Sequence, residues 1–148
     1  ALQYYERTLE INPNAEATYA NMSGLFMRQG DYERARRYMD RFWALKQDSP
    51  PPGPTLIDAM EDPLVRPDYI EFLRNTEIIP SGPVDRAMEF MLLGETDLAL
   101  EDLDRGLELG SPYVTHVNLA GVYTPLRDDP RFQAHLAKMN LWPPAERR

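Results

Sequence analysis

No cysteine occurs among the 148 residues, which excludes disulfides and thiolate chemistry and points to a cytoplasmic compartment, with the periplasm as the alternative. Long apolar runs are missing too. The longest uncharged apolar stretch, Phe90 to Leu93, is far too short to cross a bilayer, and no basic-then-apolar leader stands at the start. Histidine occurs only at His116 and His135. With Asp128 and Asp129 these two could ligate a metal, but no HExxH or comparable spacing exists. There is no Gly-rich phosphate loop and no G-x-S-x-G elbow, and no carboxylate pair stands in a context that would perturb a pKa. The expectation is no catalysis, no metal and no cofactor. Positive charge is also short, with 16 Lys and Arg against 24 Asp and Glu and a formal net charge of −8. That balance opposes attraction to phosphate backbones and anionic lipid, so nucleic acid and membranes are not expected partners.

What is present is ordinary globular material, 43% hydrophobic and 27% charged, in a chain long enough for one compact domain with a core. Its organising stretch is Asn14 to Phe42. Tyr19, Met22, Ser23 and Phe26 recur at helical spacing, as do Tyr32, Ala35, Met39 and Phe42, so two amphipathic helices are predicted. Gly30 suits the left-handed residue that ends the first, and Asp31 suits the cap of the second. A second copy follows at Asp85 to Leu107, where Ala87, Phe90, Gly94, Ala99 and Leu103 are placed as Ser23, Phe26, Gly30, Ala35 and Met39 are. Residues 1–11 match the second helix of an earlier copy, because Ala1 and Ala35 lie 34 residues apart. Gly30 and Gly94 are 64 apart, close to two such periods.

At these residues the chain resembles the tetratricopeptide repeat family, whose helix-turn-helix units set tryptophan, leucine, glycine and tyrosine on the first helix, alanine and phenylalanine on the second, and a closing proline. Tyr19 stands in the tryptophan position, Met22 in the leucine position and Ser23 in the glycine position, while Phe26, Gly30, Asp31, Tyr32 and Ala35 fit. Ala1, Tyr5 and Pro13 complete the earlier half-copy. The departures are Gln47 where the closing proline would be, Arg86 where leucine would be, and Pro112 one place late. The resemblance implies an all-α superhelix of stacked hairpins with a C-terminal capping helix. Its parts are the second helix of a truncated repeat (1–13), a well-formed repeat (14–46), a Pro-rich linker and degenerate repeat (47–80), a further repeat (81–110) and capping helices (111–148). A chain that opens halfway through a repeat is expected to be a fragment of a longer protein.

Between and after the good copies the pattern loosens. Gln47 to Pro54 reads as a polyproline II spacer, which also satisfies a P-x-x-P pattern through Pro51 and Pro54. Thr55 to Thr76 reads as two short helices broken near Pro63 and Pro67, with Asp68 and Tyr69 echoing Asp31 and Tyr32 and Phe72 in the place of Ala35. A turn over residues 78–83 leads to Pro83 in a first helical turn. Asp97, Glu101, Asp102, Asp104 and Glu108 are expected on a solvated face. Ser111 and Pro112 should start a helix over Tyr113 to Val122. A last helix should be capped by Asp129 and begun by Pro130, with Phe132, Leu136 and Met139 docking its inner face and covering the end of the superhelix.

The implied function is a non-catalytic protein–protein interaction scaffold. The ending through Leu141 resembles the segment that closes such domains in bacterial signalling and transcription-regulating proteins, which implies a regulatory or sensory role within a larger chain. By resemblance a protein or peptide ligand would lie in the concave groove against Asn21, Arg28, Asp85, Met88 and Met91, beside Ala17 and Gly24. Asn21 coincides with an asparagine that bonds ligand backbone in members recognising chaperone tails, although the lysines of their carboxylate clamp have no equivalents here. Met88 and Met91 would be adaptable contact residues, although methionines at helical spacing are more often core. Arg28, Arg34, Arg36, Arg37 and Arg41 form either an acidic-ligand site or a solvated face, on which Glu33–Arg37 and Arg36–Asp40 pairs would each contribute a few tenths of a kcal/mol. Self-association into a homo-oligomer and a metal-dependent enzyme are the competing readings.

Overall fold

A computed structural model describes residues 2–48, 50, 53–76, 82–118 and 121–141, the side chains of His116 and Asn118 excepted. Every regular element among them is helical. The α-helices are α1 (Leu2–Ile11), α2 (Glu16–Arg28), α3 (Tyr32–Lys46), α4 (Leu56–Glu61), α5 (Arg66–Asn75), α6 (Pro83–Leu93), α7 (Thr96–Glu108) and α8 (Pro130–Lys138), and two 3-10 segments, Pro112–Asn118 and Gly121–Leu126, lie between α7 and α8. The chain divides into two compact units, residues 1–69 and 70–148.

In the first unit α2 and α3 form a hairpin. Gly30 has φ +74°, and its N–H and that of Asp31 bond back to the carbonyls of Met27 and Phe26, both at 3.0 Å. This arrangement closes a helix by satisfying its last free carbonyls. Asp31 caps α3 by accepting from the Arg34 N–H. The two helices approach closely because Ser23 and Ala35 are small and wholly buried, and the Ser23 hydroxyl donates to the Ala35 carbonyl at 2.8 Å. A serine in the glycine position thus satisfies its own polar group at the crossing. Met22, Phe26, Met27, Ala35 and Ile57 form the core, against which Leu2, Tyr5 and Leu9 of α1 pack.

Helix α4 joins the unit through a capping box in which Thr55 and Asp58 exchange hydrogen bonds. Its carboxylates Asp58 and Glu61 both bind Arg36 of α3, and the Tyr32 hydroxyl donates to the Met60 carbonyl at 3.2 Å. Arg36 therefore leaves the pairing with Asp40 expected from their spacing, because two carboxylates across the helix gap reach it instead. The break between α4 and α5 falls before Arg66, so Pro67 occupies a first helical turn instead of ending a helix. Asp68 consequently lies inside α5 and not at its cap, unlike Asp31. Tyr69 and Leu73 are the buried residues of this helix, and Phe72 is half-buried. The polyproline II reading of 47–54 rests on Ser49, Pro51 and Pro52, which lie outside the described residues, as does most of the turn at 78–83.

The second unit contains a matching hairpin, α6 and α7. Gly94 has φ +82°, and the N–H groups of Gly94 and Glu95 bond to Met91 and Phe90 carbonyls at 3.2 and 2.8 Å, the pattern found at Gly30. Ala87 and Ala99 are wholly buried, as Ser23 and Ala35 are, and Phe90 is as buried as Phe26. Pro83 starts α6. Pro112–Asn118 and Gly121–Leu126 form 3-10 turns where one helix over Tyr113 to Val122 was expected. Val114, Thr115, Val117 and Val122 are β-branched, and Gly121 and Pro125 interrupt the run, all of which disfavour a sustained α-helix. Helix α8 is capped by Asp129, which accepts from the Arg131 N–H at 2.8 Å, and it buries Phe132 and Leu136. Met139 lies at its C-cap, half-buried.

Candidate functional site

On α2 the stripe Ala17, Asn21, Gly24 and Arg28 follows the helical repeat opposite the buried Met22 and Phe26; all are exposed except the half-buried Gly24. No hydrogen bond or ion pair occupies Asn21 or Arg28 among the described residues. On α6 of the second unit, Met88 is 39% exposed, while Asp85 and Met91 are half-buried. The two groups are stripes on separate helices of separate units.

The arginine cluster is split by the structure. Arg28 belongs to the α2 stripe, and Arg36 turns to Asp58 and Glu61. Arg34, Arg37 and Arg41 stand on the other side of α3, where they and the rings of Tyr19 and Tyr38 line an open cleft of about 320 Å3. Helical geometry dictates that separation, because with about 3.6 residues per turn positions 34, 37, 38 and 41 share the face opposite 32 and 36. Tyr38 stacks on Phe26 with ring centroids 5.3 Å apart, and the Tyr19 hydroxyl donates to the Pro13 carbonyl at 2.9 Å. Both walls are therefore held in place. The Arg34 guanidinium lies 4.3 Å above the Phe26 ring and binds Asp31 at 2.6 Å. Hydrogen bonds from the Arg34 backbone and side chain hold the Asp31 carboxyl below its ordinary range. Sequence reading found the arginines but missed Tyr38, although its place between Arg34 and Arg41 on one helical face was legible.

The acids of α7 correct the expectation of a uniformly solvated face. Asp102 is 6% exposed and forms a two-pronged ion pair with Arg86, at 2.5 and 2.6 Å. The same guanidinium donates to the Leu73 and Thr76 carbonyls, and the hydrogen bond to Asp102 raises the already high Arg86 pKa. Arg86, the departure from the repeat pattern, thus explains why an acid is buried on the partner helix. Asp97 pairs with Arg131, and Asp104 meets both His135 and Lys138 at 3.0 Å. Glu101 and Glu108 are exposed, as expected.

His135 is buried against Phe132 and pairs with Asp104, not with Asp128 or Asp129, and its Nε2 has no hydrogen-bond partner among the described residues. The His116 side chain lies outside the described set. Among the described residues no three His, Asp or Glu side chains gather in a geometry suited to a metal ion. No helix among them is long and apolar enough to cross a membrane. A second cavity, of about 350 Å3, is lined by Arg74, Arg86 and Arg105 together with Thr76 and Pro83. Compared with known proteins, the chain matches no family model, no curated protein and no solved structure.

Proposed function

We propose that this chain is a non-catalytic protein-interaction scaffold built from tetratricopeptide-like hairpins, the regulatory or sensory part of a larger bacterial signalling or transcription-regulating protein. The observation that carries the reading is the repetition of one hairpin at α2–α3 and α6–α7. Each has a glycine at positive φ, the same two turn hydrogen bonds and a small buried residue on each helix at the crossing. Scaffolds of this kind present the outward face of the first helix to a ligand. The exposed Asn21 and Arg28 on α2 and the exposed Met88 on α6 fit that use. The place within a signalling protein rests on the resemblance of the chain's ending. A cytoplasmic setting suits a sequence without cysteine.

The test is capture of partners from a bacterial lysate by the intact chain and by a variant carrying Asn21→Ala, Arg28→Ala and Met88→Ala together. Loss of the captured protein is the expected result, and unchanged capture would remove these residues from the interface. A specific observation also favours self-association: α1 buries no residue, and Tyr4 and Ile11 on it are 73% and 74% exposed. Sedimentation across a range of concentrations decides this reading, since a monomer throughout excludes it.

A further inference from the structure

The cleft between α2 and α3 has features that a merely solvated arginine face would lack. Arg34 is engaged by Asp31, and Arg37 is loosely answered by Glu33 at 3.8 Å. No carboxylate pairs with Arg41 among the described residues; its guanidinium lies 6.0 Å from the Tyr19 ring centroid. An excess of positive charge thus persists at one place on a chain whose net charge is −8. Guanidinium groups are planar forks matched to carboxylate and phosphate oxygens, and they stack on aromatic faces. Tyr38 lines the cleft, and its hydroxyl donates to and accepts from no group among the described residues.

We infer that this cleft binds an acidic peptide, taking a carboxylate or phosphate oxyanion of one side chain against Arg41 and Arg37 while Tyr19 and Tyr38 flank the rest of that side chain. The inference deepens the scaffold reading and rests on it for the peptide nature of the partner. Size and charge narrow the ligand. The cleft, at about 320 Å3, falls at the lower end of pockets that hold organic groups and is far larger than a lone phosphate requires. A polyanion such as a nucleic acid would be repelled by the rest of the acidic chain.

Fluorescence anisotropy on the intact chain tests the proposal with three labelled peptides of one length: a glutamate-rich peptide, the same peptide with a central phosphotyrosine, and a lysine-rich counterpart. Unlabelled inorganic phosphate serves as competitor. Binding of either acidic peptide, with at least tenfold weakening by Arg37→Ala combined with Arg41→Ala, supports the site. The acidic peptide that binds better identifies carboxylate or phosphate as the preferred oxyanion. Arg41→Lys keeps the charge but loses the fork, and severalfold weakening is expected. Arg7→Ala on α1 removes one exposed positive charge elsewhere in the same unit; weakening equal to that of Arg41→Ala would show general electrostatic attraction and overturn the site. So would binding of the lysine-rich peptide, or displacement by inorganic phosphate at the concentration at which the peptide itself competes.

Circular dichroism melts of each variant separate loss of binding from loss of fold. If neither acidic peptide binds while the Asn21, Arg28 and Met88 variant still loses its captured partner, the cleft fails and the scaffold reading stands. If an acidic peptide binds through Arg41 while that triple variant captures normally, the α2 and α6 stripes fail and the cleft stands.

Discussion

At the scale of single residues, the ion pair of Arg86 and Asp102 shows how strongly context governs a charge. Two ionised groups at 11% and 8% side-chain exposure carry a large desolvation cost, which their two-pronged geometry and the extra carbonyl acceptors offset. Removing one partner leaves the other charge buried alone. Asp102→Ala is therefore expected to destabilise the fold by about 3–5 kcal/mol, read as a lower urea midpoint, whereas Arg86→Met combined with Asp102→Leu should recover most of that loss. Asp104 supplies the pH dependence. Burial alone would raise its carboxyl, but hydrogen bonds from His135 and Lys138 and the lysine charge outweigh burial and hold it below its ordinary value of 3.8. Because the folded state favours the ionised form, this contribution is fully present above pH 3.8 and is lost as pH falls through the lower folded value. The urea midpoint should drop below about pH 4, and Asp104→Asn should flatten that drop.

At the scale of elements, the hairpins depend on two positions where side-chain size and backbone sign are dictated by geometry. Nothing lies within 4 Å of where a Cβ on Gly30 would be, so Gly30→Ala meets no clash and its cost is the left-handed backbone alone. That is about 1–2 kcal/mol, measurable as a lower melting temperature. Ser23 presents the opposite case, a crowded crossing with an ordinary helical backbone. Ser23→Leu should overpack the α2–α3 contact by about 1–3 kcal/mol, while Ser23→Ala should cost less because no buried hydroxyl remains unsatisfied. The helices α2, α3, α6 and α7 were legible because apolar periodicity and turn glycines are local signals. The 3-10 character of Pro112–Asn118 and Gly121–Leu126 was not, since a serine-proline start announces a helix without saying which hydrogen-bond ladder follows. The register of α5 also escaped sequence reading, because Pro67 marks a first helical turn as readily as it marks a break.

At the scale of the whole molecule, net charge and repeated hairpins bear on partner choice more than on fold. With a sequence pI of about 4.7, the chain should give no retardation of duplex DNA in a gel shift at physiological salt, and a retarded band would contradict the charge argument. Partners that bind the acidic faces should weaken with added salt, as should acidic peptides at the arginine cleft, although the two carry opposite charge. A scaffold of the kind proposed, with patches of either sign, could discriminate among ligands by charge alone. Stability and the proposed recognition are separable in such a molecule, because the small residues at the hairpin crossings are buried while Asn21, Arg28 and Arg41 are exposed.

The paired α-helices, their hairpin turns and the buried small residues at each crossing could be read from the order of residues, since each depends on neighbours no more than a few turns away along the chain. The fates of individual charges could not. Arg36 finds Asp58 and Glu61, Asp102 finds Arg86 and Asp104 finds His135 only after helices distant in sequence have packed, because a charged side chain pairs with whatever lies within a few ångströms in space. The same packing divides five arginines between opposite faces of a hairpin and leaves Arg41 facing a tyrosine instead of an acid.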